Sequence, residues 1–112
     1  MYLGGASMAE KAQYIYIAAM DVDPDREAEF NEVYDTEHIP TILKVPGVIS
    51  AMRYEVVTGE PKYMAVYEVE TPDLPESEIF RAATNEGRWP TEIRPFTRNR
   101  YHAVYKVIKP VE

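Results

Sequence analysis

Four β-forming runs in this chain are apolar on both faces, and no other feature restricts its fold as much. Residues 14–20, YIYIAAM, are too short for an apolar helix and rich in β-formers. Residues 48–57, 62–70 and 100–108 have the same character. One alternating set reads Tyr14, Tyr16, Ala18 and Met20, then Met52, Tyr54 and Val56, then Tyr63, Ala65, Tyr67 and Val69, then Tyr101, Ala103, Tyr105 and Val107. The opposite set reads Ile15, Ile17 and Ala19, then Ile49, Ala51, Arg53 and Glu55, then Met64, Val66 and Glu68, then His102, Val104, Lys106 and Ile108. A sheet in a soluble monomer usually keeps one polar face. Neither set here is polar, so both faces need cover.

The segments between these runs supply part of that cover. Asp23 and Pro24 open a helix whose first turns are acidic, as the helix dipole favours. Thr58-Gly-Glu-Pro61 is a short turn that makes the second and third strands an antiparallel hairpin. Asp73 and Glu76 have the spacing of a capping box for a second helix that ends near Gly87. The order is β-α-β-β-α-β, the ferredoxin-like α+β arrangement, with one four-stranded antiparallel sheet and both helices on one side. Two helices cover one face only. A second copy of the chain is the natural cover for the other, since burial yields about 25 cal/mol per Å² of apolar area. A homodimer with sheets facing each other is therefore expected. A monomer would expose an apolar patch above the usual few hundred Å².

With 112 residues the chain makes one ordinary domain, expected over residues 14–112 behind a flexible N-terminal extension, residues 1–13. There is no cysteine, so neither disulfides nor thiolate metal sites arise. No run is long enough for a signal peptide or a membrane span, and the expected location is the cytoplasm. The net charge of −7 argues against nucleic acid and anionic membranes as partners. Residues 21–37 hold eight acids against Arg26, and residues 88–109 hold six bases against Glu92. Either these are two solvated faces, or they attract each other within the chain or across a dimer.

The stretch YDTEHIP, residues 34–40, carries the chemistry most open to reading. Phe30, Tyr34 and His38 lie four apart and form one helical stripe, which should point His38 inward. Pro40 pushes Ile39 out of helical geometry, so the helix should break there and Pro40 should open a short second turn.

The run Tyr34-Asp-Thr-Glu-His38-Ile-Pro40, then Val45-Pro46-Gly47, then Arg53-Tyr54, resembles the EthD-like proteins of the dimeric α+β-barrel superfamily. The likeness spans roughly residues 14 to 108. It implies a dimer that closes a barrel, with a pocket in each subunit between helices and sheet. Relatives in the superfamily include cofactor-free quinone-forming oxygenases, polyketide cyclases, lactone isomerases and haem-using enzymes, and many EthD-like members have no established reaction. Of the family's recurring polar positions, His38 is the one matched here. Tyr34 stands where the family often carries Trp.

An imidazole titrates near neutrality, so His38 is the candidate general acid/base, against the alternative of a structural histidine bonded near the helix break. Tyr34, Arg53, Tyr67, Trp89 and His102 are candidate substrate-binding residues. If the helices cover the face bearing Arg53 and His102, these two converge with His38 on one cavity, the arginine binding a carboxylate or enolate oxygen. The alternative is that Arg53, Glu55, Glu68 and Lys106 form cross-strand charge pairs. Trp89 and the tyrosines either line an aromatic pocket or simply fill the core and the dimer face. No metal set is present, haem has no local motif, and no cofactor is expected. Three functions remain open. The first is a cofactor-independent enzyme acting on an aromatic or carbonyl compound of polyketide, lactone or quinone type. The second is a non-catalytic binding or accessory protein for a hydrophobic metabolite. The third is a structural dimer with no ligand.

Overall fold

A computed structural model of the chain describes residues 2–3 and 12–108. Its strands are β1 (Tyr2–Leu3), β2 (Tyr14–Val22), β3 (Val48–Glu55), β4 (Tyr63–Val69) and β5 (Thr97–Lys106). They form one antiparallel sheet in the order β1-β3-β4-β2-β5. The last four strands, with the helical segments between them, are the ferredoxin-like α+β fold expected from the sequence. Within the segment expected as a flexible extension, Tyr2 and Leu3 pair with Ala51 and Ser50. Residues 4–11 of that segment lie outside the described residues.

The first helical layer runs without a break. A 3-10 turn (Pro24–Arg26) leads into α1 (Glu27–Val33), a π turn (Tyr34–His38) and α2 (Ile39–Leu43). The break expected at Ile39 does not occur. Ile39 is helical, with φ −61° and ψ −49°, and its N–H reaches back five residues to the Tyr34 carbonyl. Pro40 has no N–H to give, and in a regular α-helix its ring would press on the Thr36 carbonyl. The wider π turn relieves that clash, so the proline is absorbed instead of ending the helix. A second π turn follows α3 (Glu78–Thr84), with its proline at the start, where a missing N–H costs nothing. It spans Trp89–Ile93 and holds Pro90, and the Arg94 N–H reaches back to the Trp89 carbonyl.

The caps differ from expectation. Asp73 makes no capping bond, and Leu74–Glu76 is a separate 3-10 turn. Ser77 caps α3 instead, its hydroxyl accepting from the Phe80 N–H at 3.2 Å. Asp23 also makes no capping bond and pairs with Arg98.

Strand register decides which side chains the helices cover. Tyr14, Tyr16, Ala18 and Met20 share the helix face with Tyr63, Ala65, Tyr67 and Val69. Ala51 and Arg53 pair with Tyr67 and Ala65, and His102 and Val104 pair with Ala18 and Tyr16. Relative to the sorting made from the sequence, β3 and β5 have exchanged their faces. Alternation gives the phase along one strand, whereas the turns and the irregularities at Val48/Ser50 and Ala19/Asp21 set the phase between strands. The core joins this face to Phe30, Val33, Ile39, Ile42, Phe80 and Ile93 from the helical layer. The other face carries Ile15, Ile17, Met52, Met64 and Val66, with Tyr54, Tyr101 and Tyr105 exposed at 48%, 43% and 45%.

The acidic and basic regions meet inside the chain. Arg88 bridges to Glu37 at 2.6 Å and Glu32 at 3.4 Å, and Asn99 donates to Asp21 at 3.1 Å. The Arg88 pairs fasten the segment after α3 to the first helical layer, and the Asn99 bond joins β5 to the end of β2.

Candidate functional site

Both π turns aim aromatic groups at the same point. Tyr34 and His38 come from the first and Trp89 from the second. The His38 and Trp89 rings stack with centroids 4.3 Å apart, and Tyr34 meets each of them edge-on at 5.0 Å. Next to Trp89, the Glu37 carboxylate accepts from the Arg88 N–H at 3.0 Å and from its Nε at 2.6 Å. Gly87 makes this closeness feasible. It sits at φ +68°, and a Cβ there would lie 2.6 Å from Glu37 Oε1. The helix stripe read from the sequence therefore does turn His38 inward, where it is 6% exposed.

Beneath the stack lies a cavity of about 130 Å³ between α2, α3 and the sheet. Tyr34, His38, Tyr67, Trp89 and His102, five of the six residues singled out from the sequence, line it. Arg53 does not. Its guanidinium lies 4.6 Å above the Tyr34 ring, on a different side, and is held by Asp35 at 2.9 Å and Asn31 at 2.7 Å. Glu68, expected on the Arg53 face, lies across the sheet and accepts from Ser50 at 2.5 Å. The convergence of His38 with His102 is thus met, and that with Arg53 is not.

Sequence reasoning missed Arg94 and Arg100, which also line the cavity. Arg94 donates to the Thr84 carbonyl at 2.9 Å, and neither arginine has a carboxylate partner among the described residues. The signal was present. Arg100 stands two residues before His102 and so shares its strand face. Among the described residues no carboxylate lines the cavity. In a chain of net charge −7, this is a local cationic site.

Burial dominates the proton chemistry. It drives the His38 pKa down from 6.5 to about 3, with a further push from Arg94. His102 is exposed at the mouth, and desolvation together with Arg100 lowers its pKa. Burial lifts the Tyr34 phenol to about 12 and pushes the Tyr67 phenol well above its usual value. The Tyr67 hydroxyl is buried and has no hydrogen-bond partner of proper geometry among the described residues, although the Tyr34 phenol is near enough to perturb it. An unpaired buried hydroxyl is costly, and here it lines the cavity. No cluster of metal-ligating residues occurs among the described residues.

Solved structures share this architecture. MhuD from Mycobacterium tuberculosis, a haem degrader solved with two haems in its active site, is 18% identical over 88% of this chain and 99% of its own, with a TM-score of 0.59. A mutant of MhuD with two manganese protoporphyrins per active site aligns at 18% identity over 88% and 98%, with a TM-score of 0.62. An ethyl tert-butyl ether D (EthD) family protein from Bacillus halodurans aligns at 14% identity over 85% and 99%, with a TM-score of 0.60. The likeness is one of fold. No family model and no curated protein matches the chain. Among the described residues no helix is long and apolar enough to cross a membrane.

Proposed function

We propose that this protein binds a small molecule in the cavity beneath the His38–Trp89 stack and acts as a homodimer joined through its uncovered sheet face. The cavity itself carries this reading, because His38, Trp89 and the buried Tyr67 hydroxyl all line it, and that hydroxyl, whose near neighbour is the Tyr34 phenol, could meet a ligand oxygen. The size narrows the ligand. An apolar cavity of about 150 Å³ accommodates benzene, so about 130 Å³ suits one ring or a short chain. A fused polyketide does not fit the cavity as it stands.

His38 is the proton-transfer group of this reading. A neutral imidazole can donate one hydrogen bond and accept another. With a pKa near 3 it is uncharged at neutral pH, and it exchanges protons efficiently only where a bound ligand raises that value. Tyr34 and Trp89 position the imidazole, and Tyr67 and His102 are candidate ligand contacts. The compound is an aromatic or carbonyl substrate if the protein is a cofactor-independent enzyme. The second reading, a non-catalytic carrier, uses the same cavity.

Haem, which MhuD binds, is larger than this cavity. Roughly 300–1,000 Å³ is ordinary even for a drug-sized ligand, so a macrocycle does not fit about 130 Å³.

Titration of the labelled full chain with single-ring compounds, read by NMR at His38, Tyr67 and Trp89, tests the reading. Saturable shifts confined to these residues support it. Silence at millimolar concentrations across phenol, benzaldehyde, toluene and benzoate removes it. A His38→Ala variant that keeps ligand affinity while losing turnover separates enzyme from carrier.

A further inference from the structure

Two guanidiniums without carboxylate partners among the described residues border the same cavity as the buried Tyr67 hydroxyl. We propose that the ligand is a small organic carboxylate, held by Arg94 and Arg100, with the Tyr67 hydroxyl donating to it or to a neighbouring oxygen. This rests on the cavity being a ligand site and names the charge of what it takes.

Three observations converge. Six ion pairs tie other arginines and a lysine to carboxylates elsewhere among the described residues, while Arg94 and Arg100 have none. The lining offers donors in the guanidiniums and the tyrosine hydroxyls, and no ionised acceptor. Arg94 is half-buried and held by the Thr84 carbonyl, so its fork is fixed before anything binds. Arg100 is exposed at the mouth beside His102, where an incoming anion meets it first. Neutral compounds would leave the mutual repulsion of the two arginines in place, whereas a carboxylate cancels it. The surrounding rings, Tyr16, Phe80 and Trp89, offer an apolar body site for whatever carries that group.

Bound carboxylate also changes His38. Arg94 is the charged group that lowers its pKa, and Arg100 approaches from β5, with no acid among the lining residues. An anion among them favours the imidazolium, so the acid/base competence of His38 would depend on the charge of the ligand.

The test compares benzoate with its neutral counterparts benzamide and toluene on the full chain, by calorimetry and by NMR at His38 and Tyr67. The expected result is benzoate binding at least tenfold tighter than benzamide, with an affinity that falls as salt rises. Arg100→Met should weaken benzoate about tenfold to a hundredfold and leave toluene unchanged. Arg100 is exposed, so this variant should fold. Arg94→Lys, which keeps the charge but loses the fork, should give an intermediate loss. Equal binding of benzamide and benzoate, or indifference of benzoate to Arg100→Met, overturns the carboxylate assignment while the cavity reading survives. No shift with any of the three probes overturns both.

Discussion

His38 and Trp89 stack face to face, their ring centroids 4.3 Å apart and their planes 23° from parallel. Each ring belongs to a π turn with a proline close by, Pro40 two residues after His38 in the following α2 and Pro90 directly after Trp89 within its own turn. Two irregular turns thus meet at one point, and the cavity lies under that meeting. π turns are rare and occur often at functional sites.

The buried imidazole sets a pH dependence. In the unfolded chain His38 titrates near 6.5, and in the folded protein near 3. Between these values the unfolded state binds more protons, so stability falls as pH drops from about 6.5 toward 3 and is level above. The full effect is at most about 5 kcal/mol. His38→Phe, which keeps a ring on Trp89, should flatten this segment in denaturant titrations at pH 7, 6, 5 and 4. A wild-type His38 imidazole signal, assigned by its loss in His38→Phe, that titrates near pH 6.5 in the folded protein contradicts the burial.

Tyr67→Phe removes a hydroxyl that has no hydrogen-bond partner among the described residues. The apo protein should gain about 1–2 kcal/mol, because the unfolded hydroxyl no longer loses its water on folding. Ligand affinity should fall in the same variant. A loss of stability would mean that the hydroxyl is already paired with the neighbouring Tyr34 phenol, and Tyr67 would drop out of the ligand contacts.

Gly87→Ala places a Cβ at φ +68° and 2.6 Å from Glu37 Oε1. The left-handed conformation alone costs about 1–2 kcal/mol. The melting temperature should drop by about 4–8 °C for each kcal/mol. The Glu37–Arg88 clamp should loosen too, shifting Trp89 emission to longer wavelength. Glu37→Gln should move the tryptophan signal the same way with a smaller thermal effect. Unchanged fluorescence in both variants would separate the clamp from the stack.

The uncovered sheet face predicts the oligomer. Sedimentation at micromolar concentration should give a dimer, and Ile17→Arg, at the middle of that face, should give a folded monomer. A wild-type monomer would leave Tyr54, Tyr101 and Tyr105 without cover and remove the dimer from the proposal.

The succession of strands and helices along the chain, the hairpin and the inward stripe of Phe30, Tyr34 and His38 were legible because each follows from local sequence signals, and these survive in any packing. The π turns were not. A proline after a helical run usually marks its end, and only the close packing of Ile39 and Ile42 into the core, at 0% and 1% exposure, shows why the helix continues past Pro40. The Ser77 cap was hidden behind the more familiar Asp73/Glu76 spacing.

By itself the sequence determined the ferredoxin-like order and the want of a polar sheet face, and it singled out five of the residues that meet at the cavity. Tertiary structure alone decided the rest: that Arg53 belongs to a clamp with Asp35 and Asn31, that Arg94 and Arg100 take its place beside the cavity, and that β3 and β5 turn the opposite faces to the helices. Alternation fixes side-chain direction within a strand. The rotation of one strand relative to the next depends on turns and bulges that only pairing across the sheet sets, and a rotation by one residue moves every charge to the other side.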